Sequence, residues 1–269
     1  MVWHIWLICQ LDMFGTFGTF GTFGTFGIFG TFEKETMRLT TNDKLIQQRS
    51  AWARYLTFAG MGLLLASLVT SFMTNYLAVA YGTLLGGFVV AVVGSYLANK
   101  WIRPPRADQA LEKSLKGFDN KHHLYNYLLP AEHVLVAPSG VWVFKAKYHD
   151  DEIICQNGKW RRPWKWSRLL GGWTQEPLGD PIAELQEDIQ KIKQLLASKI
   201  EEAVPVDGYV VFTHPLARVT IDDPNLPVVT ASNLKDTLRK QKRTSPLSPT
   251  TLNKIETLFD EYAHAKTTQ

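Results

Sequence analysis

The sequence predicts a mixed α/β domain that is preceded by a transmembrane hairpin of two helices. One observation is a stretch of 45 residues, 55 to 99, that contains no Asp, Glu, Lys, Arg or His. The other is the order of helix-like and strand-like segments after residue 107, which runs α, several β, α, β. Segments in this order are typical of a sheet flanked by helices.

Bulk composition indicates a folded chain that favours anionic partners. The 269 residues are 45% hydrophobic and 20% charged, enough for one full core and a further segment. The net charge of +4 and the pI near 8.9 favour nucleic acid or phospholipid headgroups, without choosing between them. Cys9 and Cys155 are too few for a zinc cluster or a disulfide framework, so a reducing compartment fits best.

Residues 1–36 are a low-complexity segment. Phe-Gly-Thr repeats through residues 14–32 with Ile28 as the single interruption, and this period of three matches neither helix nor strand. We expect the segment to be disordered or not translated, with the true start at Met37. A poor signal sequence and a cohesive Phe-Gly tail are the other interpretations. Residues 37–54 then form a basic juxtamembrane segment.

The charge-free stretch divides into two predicted membrane helices, 55–72 and 76–97. At about 1.5 Å per residue they reach about 27 and 33 Å, which is enough for each to cross a bilayer. Only the residues from 73 to 75 separate them, so the helices are expected to be antiparallel. The two outer ends of the hairpin therefore lie on the same side of the membrane.

Basic side chains flank both outer ends of the hairpin. The positive-inside rule therefore predicts a multi-pass protein of the cytoplasmic (inner) membrane, with both termini in the cytosol and the lipid bilayer as a partner. The flanking residues are Lys44, Arg49 and Arg54 before the first helix and Lys100, Arg103 and Arg106 after the second.

Gly82 and Gly86 form a GxxxG motif on the second membrane helix. Small residues at this spacing let two helices approach closely. Two interpretations remain open: the motif packs the hairpin against itself, or it joins two copies of the chain into a homodimer.

The cytosolic domain is predicted to extend over residues 107–269. It begins with a helix over 107–118, and an amphipathic helix follows the meander of strands, from Asp180 to Ile200. The predicted strands are 123–129, 133–136, 141–144, 152–162 with a turn at Asn157-Gly158, 208–213 and 227–229, and the closing helices are 233–240 and 249–264.

The hairpin from Glu132 to Lys147 is the leading site candidate. Side chains alternate along a strand, so Lys145 and Lys147 share one face with Val141 and Val143. An ammonium group that is buried without a partner costs several kcal/mol. This face must therefore meet carboxylates, phosphates or water.

Three motifs carry a family resemblance: HVLVAPSGVWVFKAK (133–147), the helix that begins with Asp180-Pro181, and VPVDGYVVFTHP (204–215). In this order they resemble the nuclease-related domain, or NERD, over residues 107–239. The resemblance implies a restriction-endonuclease-like mixed sheet flanked by helices, with a PD-(D/E)xK site. In such a site two carboxylates hold Mg²⁺ and a lysine positions the attacking water.

The resemblance assigns site residues one by one. Glu132, before His133, takes the place of the family's aspartate, and Lys147 matches the lysine. Lys145 stands where the family has the metal-binding glutamate. Glu184 stands where the family has a glutamine in its Asn-Pro-x-x-Gln helix start, and Glu112 matches a glutamate of the upstream helix.

The lysine at position 145 changes the local charge by two units where a dication would bind. The sequence therefore favours a degenerate nuclease, a pseudoenzyme with no cofactor, that binds an anionic partner. Lys145 is then expected to pair with Glu132 or Glu184. The alternatives are an active Mg²⁺-dependent nuclease that uses Glu132, Lys147 and Glu184, and a structural membrane scaffold.

A basic patch with interleaved tryptophans, KWRRPWKWSR, follows the hairpin. It could contact nucleic acid by phosphate contacts and stacking, or lie on anionic headgroups; attachment to a membrane favours the second. The candidate anion-binding residues are Lys145 and Lys147 of the hairpin, with Lys159, Arg161, Arg162, Lys165 and Arg168 of the patch. The histidines lack any metal-ligand spacing, so no metal site is predicted among them.

Overall fold

The computed structural model describes residues 36–150, 152–163, 174–241 and 246–268. The Phe-Gly-Thr repeat lies outside the described residues. So do Lys165 and Arg168 of the basic patch.

The two apolar segments form helices α1 (Asp43–Ser71) and α2 (Leu77–Trp101), joined through a short 3₁₀ turn. Both are longer than predicted, because α1 also includes the polar residues before position 55 and α2 continues to Trp101. By length and composition each could cross a membrane. Large apolar side chains such as Leu65, Leu85 and Phe88 are exposed along them.

Buried residues at seven-residue intervals, most of them small, pack α1 against α2 in antiparallel orientation. The buried positions are Ile46, Ala53, Gly60 and Ser67 on α1, and Ala80, Gly87, Gly94 and Trp101 on α2. A Cβ atom at Gly60 would lie 2.5 Å from the Ala91 nitrogen, and one at Gly94 would lie 2.6 Å from the Thr57 nitrogen. The backbones therefore approach too closely for larger side chains at these positions.

The GxxxG motif does not pack the hairpin against itself. A Cβ atom at Gly82 or Gly86 would meet no atom within 4 Å, because both glycines face away from α1. That interpretation is corrected, since the register buries Gly87 and Gly94 instead.

The α/β domain is built on a six-stranded mixed sheet in the order β1-β2-β3-β4-β7-β9. The β1-β2, β4-β7 and β7-β9 pairs are parallel, and the β2-β3 and β3-β4 pairs are antiparallel. The strands are β1 (Arg38–Thr41), β2 (His123–Asn126), β3 (His133–Ala137), β4 (Gly140–Lys147), β7 (Val206–Phe212) and β9 (Val228–Thr230). The prediction of a mixed α/β fold is confirmed.

A second sheet contains three strands, in the order β6-β5-β8. Its strands are β5 (Glu152–Gln156), β6 (Lys159–Arg161) and β8 (Arg218–Ile221). The sequence predicted the hairpin at 152–162 but placed it in one meander with β2 to β4. The hairpin instead pairs with β8, a strand that sequence patterning missed.

Helices cover both faces of the large sheet. The core on one face receives apolar side chains from α4 (Pro181–Ala197) and α6 (Pro249–Thr268), and the core on the other from α3 (Ala107–Ser114) and α5 (Ala231–Lys240). The apolar residues along one side of α4 all belong to or pack on the first core: Ile182, Leu185, Ile189, Ile192, Leu195 and Leu196. The restriction-endonuclease-like description of a mixed sheet flanked by helices fits this arrangement.

Both ends of the helical hairpin are built into this domain. Directly before α1, β1 forms an edge strand beside β2, and the Asn42 side chain then caps α1 by accepting from the Leu45 amide. At the end of α2, Trp101 packs against Tyr127 with ring centroids 5.1 Å apart, in a small core that includes Ile46. The hairpin and the sheet are therefore joined at two points.

We expect Gly94→Leu to destabilise the full chain in detergent micelles by about 1–3 kcal/mol, because the new side chain meets the α1 backbone. Gly62→Leu makes the same change on α1, where space is open. It should leave thermal unfolding nearly unchanged. Equal effects of the two substitutions would contradict this packing.

Candidate functional site

Strand β4 divides its side chains between the two cores as predicted. Val141 and Val143 lie in one core, whereas Trp142 and Phe144 lie in the other. Lys147 continues the valine face at the end of the strand, and only 2% of its side chain is exposed. The alternation along this strand thus places an ammonium group inside the domain.

Helix α4 brings two carboxylates to this face. Asp180 caps the helix by accepting hydrogen bonds from the Ile182 and Ala183 amides, and Pro181 occupies its first turn. Leu185 and Ile192 anchor the helix on the sheet. Side chains four residues apart share one side of a helix, so Glu184 and Asp188 face the same strand end.

Both lysines of β4 are paired with these carboxylates. The Lys147 ammonium lies 2.9 Å from Glu184 Oε2 and 3.3 Å from Glu176 Oε1. The Lys145 ammonium lies 3.3 Å from Asp188 Oδ2 and 3.4 Å from Glu184 Oε2. Burial lowers the pKa of Lys145, but Asp188, Glu132 and Glu184 together raise it above its ordinary value.

Glu132 forms its ion pair with the helical hairpin. Lys100, one residue before the end of α2, donates to Glu132 Oε1 at 3.1 Å. Burial raises the pKa of Glu132, but Lys100 and the other nearby positive groups bring it below its ordinary value. The expected pairing of Lys145 with Glu184 is therefore found, whereas the direct ion pair of Glu132 is made by Lys100.

His133, next to Glu132, is buried as a neutral ring. Its Nδ1 lies 2.8 Å from Asn126 Oδ1, and its ring packs edge-on against Tyr127. Burial lowers the pKa of His133 to about 4. This histidine therefore positions the strand end and the neighbouring Glu132 rather than adding a charge.

The site as a whole is a nearly neutral network of ion pairs. Four carboxylates face three ammonium groups, and Lys191 adds a fourth ammonium 3.3 Å from Asp188 Oδ1. Each carboxylate therefore already contacts an ammonium. Among the described residues, no cluster of His, Cys, Asp and Glu is arranged to hold a metal ion. The members are Glu132, Glu176, Glu184 and Asp188 with Lys100, Lys145 and Lys147.

The sequence missed three members of this network. Asp188 carried a usable signal, because it interrupts the apolar stripe of α4 between Leu185 and Ile192. The sequence predicted for Lys100 only a place among the basic residues that orient the hairpin. Glu176 lies in a segment without helix or strand periodicity. On α3, Glu112 is exposed, whereas Asp108 is buried and its carboxylate binds the Arg106 guanidinium through two hydrogen bonds.

The described part of the basic patch, residues 159–163, begins on β6 of the smaller sheet, which is separate from the sheet that contains the lysines of β4. Lys159 and Arg161 are exposed on β6. Arg162 donates to Gln175 Oε1 at 2.8 Å and lies 3.5 Å from Asp150. Two of the three described patch residues therefore present their charge to solvent.

The fold and this strand edge define a nuclease-fold module, with acidic and lysine side chains at the end of a central strand. Residues 105–213 match the model of the nuclease-related domain family, so the chain carries a nuclease-related domain there. The match includes Glu132, Lys145, Lys147 and Glu184. Comparison with curated proteins and with solved structures gave no match.

We expect the free energy of unfolding to fall as the pH is lowered from 6.5 towards 4. Burial lowers the pKa of His123 and of His133 to about 4, whereas an unfolded histidine titrates near 6.5. The unfolded state therefore binds more protons in this window, at up to about 1.4 kcal/mol per pH unit for each histidine.

Chemical unfolding of the full chain in micelles at pH 7, 6 and 5 measures this slope. His133→Gln should make the slope shallower by removing one buried titrating ring. If the slope is unchanged in this variant, His133 does not have a lowered pKa in the folded state.

Proposed function

We propose that this chain is a membrane-anchored nuclease-related domain that has lost catalysis and binds an anionic partner. The observation that carries the proposal is the position of Lys145. It stands where the family pattern implies a metal-binding glutamate, and its ammonium lies within 3.4 Å of carboxylate oxygens of Glu184 and Asp188.

Electrostatics explain why this arrangement opposes Mg²⁺. The ion needs a nearly octahedral shell of oxygen atoms, and here the candidate oxygens already bind ammonium groups. A dication about 4 Å from the Lys145 ammonium would be repelled by about 8 kcal/mol at an effective dielectric constant of about 20. The residues present therefore do not fit the metal.

The second candidate function is an active Mg²⁺-dependent nuclease with Glu184 as the second carboxylate. The observation in its favour is that Glu184 contacts Lys147, the residue that matches the family's lysine. Glu132 also lies at the same edge of the sheet. In this alternative, Lys145 would have to leave Glu184 before a metal could bind.

A DNA-cleavage assay on the full chain in micelles separates these functions. The full chain is needed because β1 precedes the hairpin and completes the large sheet. We expect no cleavage of single- or double-stranded DNA with Mg²⁺ or Mn²⁺. Cleavage that is abolished by Glu132→Ala and by Glu184→Gln would instead establish the enzyme.

Lys145→Glu should convert the site into one that binds Mg²⁺. The substitution leaves five carboxylates against three ammonium groups, those of Lys100, Lys147 and Lys191, and a dication relieves the repulsion between the carboxylates. Mg²⁺ at about 100 times its Kd would add about 2.7 kcal/mol of stability, seen as an upward shift of the Tm. The wild type and the matched control Lys145→Met should not shift, and a shift of the wild type would contradict a degenerate site.

The proposed location is the cytoplasmic membrane, with both termini in the cytosol. The length and composition of α1 and α2 support this, as do the basic residues at their outer ends. Both outer ends also join one domain, so a hairpin that spans the bilayer must have them on one side. Gly82 and Gly86 face away from α1, which supports the proposal that they join two copies of the chain.

Cysteine labelling in intact cells tests this topology in a Cys9→Ser background. With Asn75→Cys, at the turn between the helices, a membrane-impermeant maleimide should react from outside. With Lys121→Cys, in the cytosolic domain, it should react only after permeabilisation. Labelling of both positions in intact cells would contradict the proposed orientation.

A further inference from the structure

A cavity of about 180 Å³ lies where α2 meets the cytosolic domain. Tyr96, Asn99, Lys100 and Arg103 line it from the end of α2 and the following residues, and Tyr127 and Glu132 line it from the domain. A cavity of this size has room for several water molecules. It can therefore hold a phosphate ester.

The charge that remains uncompensated in this cavity is positive. Four of its charged lining residues are paired: Lys100 and Glu132 with each other, Glu176 with Lys147, and Arg106 with Asp108. Arg103 also lines the cavity and is exposed, and its guanidinium group forms no ion pair or hydrogen bond within the part of the chain that the structure describes. One guanidinium group is therefore available to an anion, and guanidinium binds phosphate through paired N–H donors.

Two further hydrogen-bond donors, Tyr127 and Lys100, complete the site. Tyr127 is 6% exposed, and its hydroxyl group has no hydrogen-bond partner among the described residues. Because Tyr127 lines the cavity, this hydroxyl group can donate to a ligand that accepts a hydrogen bond. The Lys100 ammonium has three donors and uses one for Glu132 Oε1, so it can also reach an anion.

The position of the cavity indicates which molecule supplies the phosphate. If α1 and α2 cross the bilayer as proposed, the residues from Tyr96 to Arg103 lie at the level of the cytosolic headgroups. We propose that this cavity binds the phosphate of an anionic phospholipid headgroup, with Arg103, Lys100 and Tyr127 as donors. A single uncompensated guanidinium favours an anionic headgroup over a zwitterionic one, and this inference rests on the proposed membrane attachment.

The test titrates phosphatidylglycerol, and in parallel phosphatidylcholine, into the full chain in micelles and follows the Tm. Phosphatidylglycerol should stabilise the wild type at lower concentration than phosphatidylcholine. Arg103→Gln should raise the half-maximal concentration of phosphatidylglycerol about tenfold, because a charge-assisted hydrogen bond is lost. Tyr127→Phe removes only the hydroxyl group and should give a smaller loss in the same direction.

Arg49→Gln is the matched control, because Arg49 is an exposed arginine on α1 that does not line the cavity. It should keep the wild-type response to phosphatidylglycerol. Equal losses in Arg103→Gln and Arg49→Gln would overturn the inference in favour of general surface attraction. An unchanged response in Arg103→Gln would also overturn it.

Titrations with inorganic phosphate and with DNA identify the source of the phosphate. The cysteine labelling separates this inference from the proposed function. Stabilisation by inorganic phosphate or by a DNA oligonucleotide that depends on Arg103, without any by phosphatidylglycerol, would overturn the lipid assignment. The cysteine labelling reports on membrane attachment independently. If the labelling is as expected but the lipid titration fails, only the proposal that the cavity binds a phospholipid headgroup is refuted. If the labelling fails, the proposed membrane attachment is refuted, and with it the lipid-binding proposal.

Discussion

The buried ammonium group of Lys147 constrains the arrangement of the site around it. Only 2% of its side chain is exposed, at the end of a central strand. An ion in such a position costs several kcal/mol unless a countercharge with good geometry meets it. Glu184 and Glu176 supply this countercharge, and the start of α4 at Asp180 brings Glu184 to the strand end.

Lys145 extends the same constraint to a second charge. It lies two residues earlier on the same face, so it faces the same side of α4 and draws Asp188 and Glu184 into ion pairs. The carboxylates of Glu184 and Asp188 neutralise the two lysines at this strand edge. In the proposed function they do so in place of binding a metal.

The link between the helical hairpin and this edge is also electrostatic and steric. Lys100 binds Glu132, and Trp101 packs on Tyr127, so the end of α2 contacts the segment that carries the candidate carboxylate. On the other side of the hairpin, β1 pairs with β2. Because both connections are short, the position of α2 and the position of Glu132 are tied together.

The sequence by itself determined the features that depend on local composition and periodicity. The charge-free stretch determined the two apolar helices, the alternation around Val143 determined the two faces of β4, and the stripe that includes Leu185 determined the buried face of α4. The three quoted motifs were also sufficient to predict the nuclease-related domain. The departure of Lys145 from the pattern of that family is likewise visible in the sequence.

Only the tertiary structure decided which charges meet and which glycines face the neighbouring helix. Lys145 and Asp188 are 43 residues apart, and Lys100 and Glu132 are 32 apart, so their pairing depends on how separate elements pack. The four-residue strand β1 is too short for a periodic signal. Gly82 and Gly94 look alike in the sequence, and the helix register alone places one outward and the other against α1.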